Sequence, residues 1–292
     1  MSTSDERAAF DPRRACGWPP RPQRTDTVRQ IRPEELQGWI VHEDARLLVI
    51  NKPGDVVCHP SKAGPWSSLV GAAREYTALP TMHLVFRLDR ETSGVVVLAK
   101  DAAMASRLQT AMMDRRAGKV YTAILTGELR GTVRVDQPLG DDVASPVFIK
   151  SAVDPAGKPA VTHFEPVAWS GTGVPPVGLS ASKNEHGHDA RATGFTLAKV
   201  VTETGRKHQI RVHAHWLGHS LVGDKIYGPD DRLYLDFIDH GWTPALADKL
   251  LLPRQALHCA EIDLRAAGVD TVFHAPLAPD LREFCLSRGL PA

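Results

Sequence analysis

Phe86-Arg87-Leu88-Asp89-Arg90-Glu91-Thr92-Ser93-Gly94 lies between two apolar runs, Leu84-Val85-Phe86 before it and Val95-Val96-Val97-Leu98-Ala99 after it. Runs rich in β-branched and aromatic residues, separated by Thr-Ser-Gly, predict two strands joined by a hairpin or bend. Asp89 is then held in a tight turn with Arg87 and Arg90 on either side, and nearby opposite charge favours the ionised form. A positioned carboxylate among cations, beside a sheet, is what a covalent nucleophile aimed at an anionic substrate needs. The same residues would also make a plain surface Arg-Asp-Arg ion-pair cluster.

Outward from this turn, Leu47-Leu48-Val49-Ile50 predicts a strand followed by the loop Asn51-Lys52-Pro53-Gly54. Downstream, Asp101 is placed as a helix N-cap, Met104, Leu108 and Ala111 or Met112 recur at helical spacing, and Gly118 is expected to close the helix. Val120-Tyr121-Thr122-Ala123-Ile124-Leu125 is the next strand. The strands recur without βαβ alternation, which predicts an α+β fold with a central, mostly antiparallel mixed sheet flanked by helices and loops. Residues 1–38, rich in Arg and Pro, are expected to form a mobile or wrapped extension, with 39–292 as the main domain and order beginning near Trp39. Residues 171–194 are rich in breakers and separate strand-like 161–169 from 195–201. They are expected to be either a dispensable insertion at a hairpin tip or a lid gripping the substrate through His186, His188 and Arg191.

The 292 residues suffice for a large core, and 42% hydrophobic with 24% charged residues is ordinary for a globular protein. No run approaches a membrane span, and the polar start Met-Ser-Thr-Ser-Asp-Glu-Arg lacks the apolar centre of a signal peptide. Cys16, Cys58, Cys259 and Cys285 are far apart and make no CxxC pair, which disfavours a structural zinc site or a disulfide scaffold. A cytoplasmic enzyme is therefore expected. The net charge of +1 does not suggest a general nucleic-acid binder. Cations nevertheless crowd Lys100, Arg107, Arg115, Arg116 and Lys119, where a solvated helix face and a phosphate-contacting patch are both open.

Thr204-Gly205-Arg206-Lys207-His208-Gln209-Ile210-Arg211-Val212-His213-Ala214-His215-Trp216-Leu217-Gly218-His219 is the second dense stretch. Ile210, Ala214 and Leu217 share one helical face and Gly218 suits the C-terminal cap, which would put His208, Arg211 and His215 on another face. The histidine spacing invites a metal, but the glutamate of HExxH is missing and no third ligand is evident. Arg206, Lys207 and Arg211 fit an anionic partner better. Gly223-Asp224-Lys225-Ile226-Tyr227-Gly228 is expected to turn near the same site.

Together these segments resemble the RluA-like pseudouridine synthase family. Val49-Ile-Asn-Lys-Pro-Gly-Asp-Val-Val-Cys-His-Pro60 is similar to its LNKPxGxxVHP opening, and Arg87 to Gly94 to its HRLDRxTSG motif. Lys119-Val120-Tyr121 resembles its KxY strand, and Thr204 to His213, with Gly218-His219 and Gly223-Asp224, its TGRxHQIRVH…GHxxxGD block. Ala256-Leu257-His258 and Ala275-Pro276-Leu277-Ala278-Pro279-Asp280-Leu281 also fit, so the likeness spans roughly 39–285. The chain departs from the pattern at Phe86, where the family usually has His, at Asp55, and in the extra segment 171–194.

The resemblance implies an RNA pseudouridine synthase of that family's fold, acting on ribosomal or transfer RNA, needing no cofactor or metal, and without a separate N-terminal RNA-binding domain. It implies Asp89 as catalytic carboxylate, Arg211 as its ion-pair partner, and Tyr121 stacked on the base. Arg87 would help extrude the uridine. RNA contacts are expected from Arg87, Arg90, Arg115, Arg116, Lys119, Arg206, Lys207 and His208, in a monomer. The rival classes are a catalytically inactive RNA-binding protein of the same fold, and an aspartate-nucleophile hydrolase. The first would have lost Asp89, Tyr121 or Arg211, and all three are present. The second needs a separate acid/base pair near Asp89, for which the sequence offers no candidate.

Overall fold

A computed structural model of the chain describes residues 29–60, 65–171 and 194–292. In chain order the elements begin with helix α1 (Pro33–Gln37), strands β1 (Ile40–Glu43) and β2 (Leu47–Lys52), and helix α2 (Leu69–Thr77). Strands β3 (His83–Leu84) and β4 (Ser93–Ala99), helix α3 (Ala102–Met113) and strand β5 (Gly118–Thr126) follow. Next come strands β6 (Val133–Asp136), β7 (Leu139–Asp141), β8 (Ser151–Val153), β9 (Val161–Gly171) and β10 (Gly194–Thr202). Helices α4 (Gln209–Trp216), α5 (Arg232–His240) and α6 (Pro244–Leu250), strands β11 (Leu257–Asp263) and β12 (Val272–His274), and helix α7 (Pro279–Ser287) complete the chain. They divide into two compact units: the residues up to Ala117 with Asp263–Ala275, and Gly118–Ile262 with Pro276–Ala292.

In the first unit, β2 lies antiparallel to β1 and to β4, with Val49 opposite Val97 and Ile50 opposite Val96. Every residue of β4 is buried, as its unbroken Val-Val-Val-Leu-Ala run requires. β3 pairs with the end of β4, Leu84 opposite Leu98, so the segment around Asp89 does connect two antiparallel strands. Asp101 caps α3 by accepting from the Met104 amide at 2.8 Å, and Met104, Ala105, Leu108 and Ala111 form its buried face. The helix ends at Met113 rather than at Gly118, which opens β5. Arg115, not a glycine, takes the left-handed conformation there (φ 59°), and the Arg116 amide returns to the Ala111 carbonyl. Structure also precedes Trp39: Ile31 and Leu36 are buried, and the Ile31 amide donates to Trp66.

In the second unit, β10 pairs antiparallel with β9 and β5, and β6 with the other edge of β9. β11 lies beside β5. The register sets Tyr121 opposite Val200 and runs up to Gly171 opposite Gly194, the residues that bracket the segment outside the description. The expectations for 172–193, including His186, His188 and Arg191, lie outside the described residues. β7 and β8 form a separate two-stranded hairpin. Its Leu139 packs with Val147, Ala160, Val212, Ile226 and Tyr227. Helix α4 begins only at Gln209, and residues 209–214 are all buried. Arg211 therefore does not line a solvated face, because α4 is covered around its first turns.

Candidate active site

Asp89 is half-buried between buried Leu88 and exposed Arg90, and its carbonyl accepts from the Thr92 amide at 3.1 Å. The carbonyls on both sides of it are held. The fully buried Lys52 ammonium donates to Arg90 O at 3.1 Å, and also to Pro53 O at 2.8 Å and Val56 O at 2.9 Å. The Cys58 thiol reaches Leu88 O at 3.4 Å. An ammonium has three donors, so three carbonyls can replace the water it gives up on burial. The Asn-Lys-Pro-Gly loop thus acts as the clamp of the aspartate turn. Asp55, the departure in that loop, adopts φ 78°, a conformation that Asp tolerates better than bulkier residues. Gly94 pairs with Lys52 at φ 109°, where a side chain would be strained.

Arg211 is the centre of a second constellation. Its Nε and Nη2 donate to the two oxygens of Asp224 at 2.7 and 2.8 Å, and its guanidinium lies 4.9 Å from the centre of the Tyr227 ring. Asp224 also accepts from the amides of Ile226 and Tyr227 at 3.0 and 3.1 Å. Burial, the largest influence, works against its charge, but the Arg211 charge and these hydrogen bonds prevail and hold the carboxyl below its usual range. The Tyr227 hydroxyl lies 2.9 Å from His208 Nδ1 and accepts from the Ser151 amide at 2.8 Å. The Gly223–Gly228 turn expected near this site is therefore its floor.

Tyr121 is buried on β5, and Lys119, two residues away on the same strand face, is half-buried. Burial pushes the Lys119 ammonium below its usual range, opposed by the nearby Cys259, and burial pushes the Cys259 thiol up to about 12. Lys119 is thus less exposed than the phosphate contact the sequence suggests. Arg115 and Arg116 are exposed, though Arg116 also donates to Ala266 O and pairs with Asp114 at 3.2 Å. Arg87 and Arg90 are exposed too. Arg206 reaches Pro159 O at 3.0 Å, and Lys207 pairs with Asp141 at 2.9 Å.

The remaining histidines of this stretch make protein contacts. His213 lies 2.8 Å from Thr162 Oγ1 and 3.0 Å from Gln137 O, and burial lowers its pKa. His215 meets Ser220 Oγ at 3.0 Å and His219 meets Thr126 O at 2.9 Å. Among the described residues no group of three potential ligands could hold a metal ion. Lys52, Asp224 and Tyr227 were not singled out as functional from the sequence. The available signal was a lysine at the end of an apolar strand, and an acid in a turn of otherwise buried residues.

The family described as RNA pseudouridylate synthase matches residues 46–216. Ribosomal large subunit pseudouridine synthase D of Vibrio parahaemolyticus is 34% identical over 249 residues, 83% of this chain and 68% of that protein. Its counterpart in Escherichia coli K12 is 31% identical over 261 residues, 87% and 71% of the two chains. The structure of human RNA pseudouridylate synthase domain containing 4 superposes with a TM-score of 0.65 at 23% identity, covering 89% of this chain and 96% of that one. Human RNA pseudouridylate synthase domain containing 1 gives 0.56 at 20% identity, covering 86% and 94%. With the motifs in order, the fold shared, and the match extending over most of its length, the chain belongs to the RluA-like family of RNA pseudouridine synthases, which are isomerases.

Proposed function

We propose that this isomerase acts on uridines of large-subunit ribosomal RNA, with Asp89 as its catalytic carboxylate. The reaction breaks the bond from uracil N1 to ribose C1′, turns the base, and joins C5 to C1′. The proton leaving C5 is balanced by the one gained at N1, so no redox partner or group donor is required. Asp89 serves as nucleophile or proton-abstracting base, with Arg211 as its charge partner. Tyr121 stacks on the uracil, and Arg87 helps extrude the nucleotide, whose unstacking costs a few kcal/mol. Arg90, Arg115, Arg116, Lys119, Arg206, Lys207 and His208 contact the RNA, and the enzyme works as a cytoplasmic monomer.

The observation that carries this reading is the clamp on Asp89. Lys52 and Cys58 hold the carbonyls of Arg90 and Leu88, so the residue between them is positioned before substrate arrives. The choice of RNA rests on the relatives named as ribosomal large subunit synthases. Asp89→Asn keeps the shape but removes base and nucleophile, and should abolish pseudouridine formation with RNA binding intact. Turnover within about tenfold of wild type, roughly 1.4 kcal/mol in barrier, would reject Asp89. Mapping pseudouridines in total RNA with and without the gene tests the target. A site lost from transfer RNA alone would overturn the ribosomal assignment.

A further inference from the structure

The β7–β8 hairpin ends in a loop with two contrasting neighbours. Val147 is 1% exposed and packs against Val212 of α4 and Tyr227, whereas Phe148 is 96% exposed and Val143 is 97% exposed. The loop is strongly tied down. Ser145 Oγ and Lys150 Nζ both donate to Asp231, at 2.6 and 2.9 Å, and the Val147 amide donates to Ser145 Oγ at 3.1 Å. Asp142 N to Lys150 O, at 3.1 Å, closes the neck. A fixed loop thus presents a phenyl ring entirely to solvent. Two cations border the same hairpin: Lys207 pairs with Asp141, the β7 residue next to the loop, and Arg206 donates to Pro159 O, further along the chain after β8.

We propose that Phe148 is a stacking platform for an unpaired nucleotide of the RNA substrate, with Lys207 and Arg206 taking the adjacent phosphates. The inference rests on RNA being the substrate and names a subsite for it. A rigid, exposed aromatic offers its face to any base with little ordering cost, and flanking positive charge follows the backbone. Val143 and Ile149, 97% and 40% exposed, widen the apolar tip, and it is the cations bordering the hairpin, Lys207 and Arg206, that favour RNA over a protein partner. Val147 and Ser151 anchor the loop on the Tyr227 floor beneath Arg211, which ties the platform to the constellation assigned to chemistry.

The probe is a short, fluorescently labelled single-stranded oligouridylate, titrated over a range of salt concentrations. Phe148→Ala should weaken binding roughly 5- to 100-fold, the usual range for one stacked base, and Phe148→Trp should retain wild-type affinity. Stacking releases no counterions, so Phe148→Ala should leave the slope of log K against log salt unchanged. Lys207→Ala should flatten that slope by about 0.7. Being solvent-exposed, Phe148 can be replaced without loss of packing, and circular dichroism checks the fold. Affinity within about twofold of wild type for Phe148→Ala would overturn the proposal, as would a changed slope. So would sedimentation showing that wild type self-associates through this tip while RNA affinity ignores the substitution. The wild type failing to form pseudouridine in ribosomal RNA transcripts would instead reject the proposed target, leaving the stacking result separately readable.

Discussion

Asp224→Asn removes the negative charge that meets Arg211 through two hydrogen bonds, while hardly changing the volume of the side chain. In the native protein the two side chains are 0% and 5% exposed and meet through two short hydrogen bonds. Asparagine keeps an oxygen for the amides of Ile226 and Tyr227 but turns an NH2 group toward the guanidinium. Breaking a buried pair from one side costs about 3–5 kcal/mol, because the surviving charge loses its bidentate hydrogen bonds in a site closed to water. At about 2–4 °C per kcal/mol for a chain of this order, the melting temperature should fall by roughly 6–20 °C. The exposed pair Arg265–Asp263 provides the control, since Asp263→Asn should cost no more than about 1 kcal/mol.

The pH dependence follows from the same pair. Asp224 titrates lower in the folded protein than in the unfolded chain, where a carboxyl sits near about 3.9. Its stabilisation is therefore complete above about pH 4 and is lost as pH falls through the folded value. The gap between wild type and Asp224→Asn should narrow on acidification. Thermal unfolding followed by circular dichroism between neutral pH and pH ~3 measures both effects. Arg211→Met combined with Asp224→Asn removes both charges, and should recover most of the stability while pseudouridine formation stays lost. A melting point for Asp224→Asn within about 3 °C of wild type, or a gap that widens in acid, would refute the reasoning.

Lys52→Met removes the donor to one buried and two part-buried carbonyls, at about 1–3 kcal/mol for the buried Val56 oxygen left unsatisfied. Turnover measured by tritium release from C5-labelled uridine should fall more than about tenfold with little change in RNA affinity; a normal rate would show that the clamp is only structural. Removing the charges of Arg115 and Arg116 together should reduce the slope of log K against log salt by about 1.5, whereas an unchanged slope would make them solvated surface. Replacing residues 172–193 by Asn-Gly should preserve turnover on ribosomal RNA, because Gly171 and Gly194 already face each other across the ladder. A folded protein that lost most of its RNA affinity would establish the segment as a lid instead.

Local signals in the sequence carried much of the fold. The Val-Val-Val-Leu-Ala run, the Asp101 cap and the Val120–Leu125 strand are found within β4, α3 and β5 because period, capping and tertiary burial agree there. Agreement failed where a local rule met a tertiary demand. Gly118 looked like a helix cap, yet Arg115 reverses the chain and the glycine opens a strand. Helical periodicity puts Arg211 on a different face from Ile210 and Ala214, and periodicity cannot show that α4 is covered on that face as well. Asp141, which holds Lys207, lies far along the chain and beyond any local pattern, whereas Tyr227, the partner of His208, belongs to the turn expected nearby.

Lys52 and Asp224, both fully buried, have a common logic. Lys52 lies beneath the main chain of Asp89, and Asp224 lies against the side chain of Arg211, each within its own unit. Neither is an efficient way to gain stability, because well-packed apolar residues of similar volume often do as well as a buried ion pair. Both are efficient at fixing direction. Three carbonyls around one ammonium set the path of the aspartate turn, and a bidentate carboxylate fixes the guanidinium plane. An aspartate main chain and a guanidinium fixed in this way lose little further freedom in the transition state, which is where orientation lowers the barrier. Substitutions at Lys52 and Asp224 should therefore reduce turnover more steeply than their stability losses alone would explain. A set of variants at these positions whose activity simply followed the folded fraction would show the buried charges to be structural and nothing more.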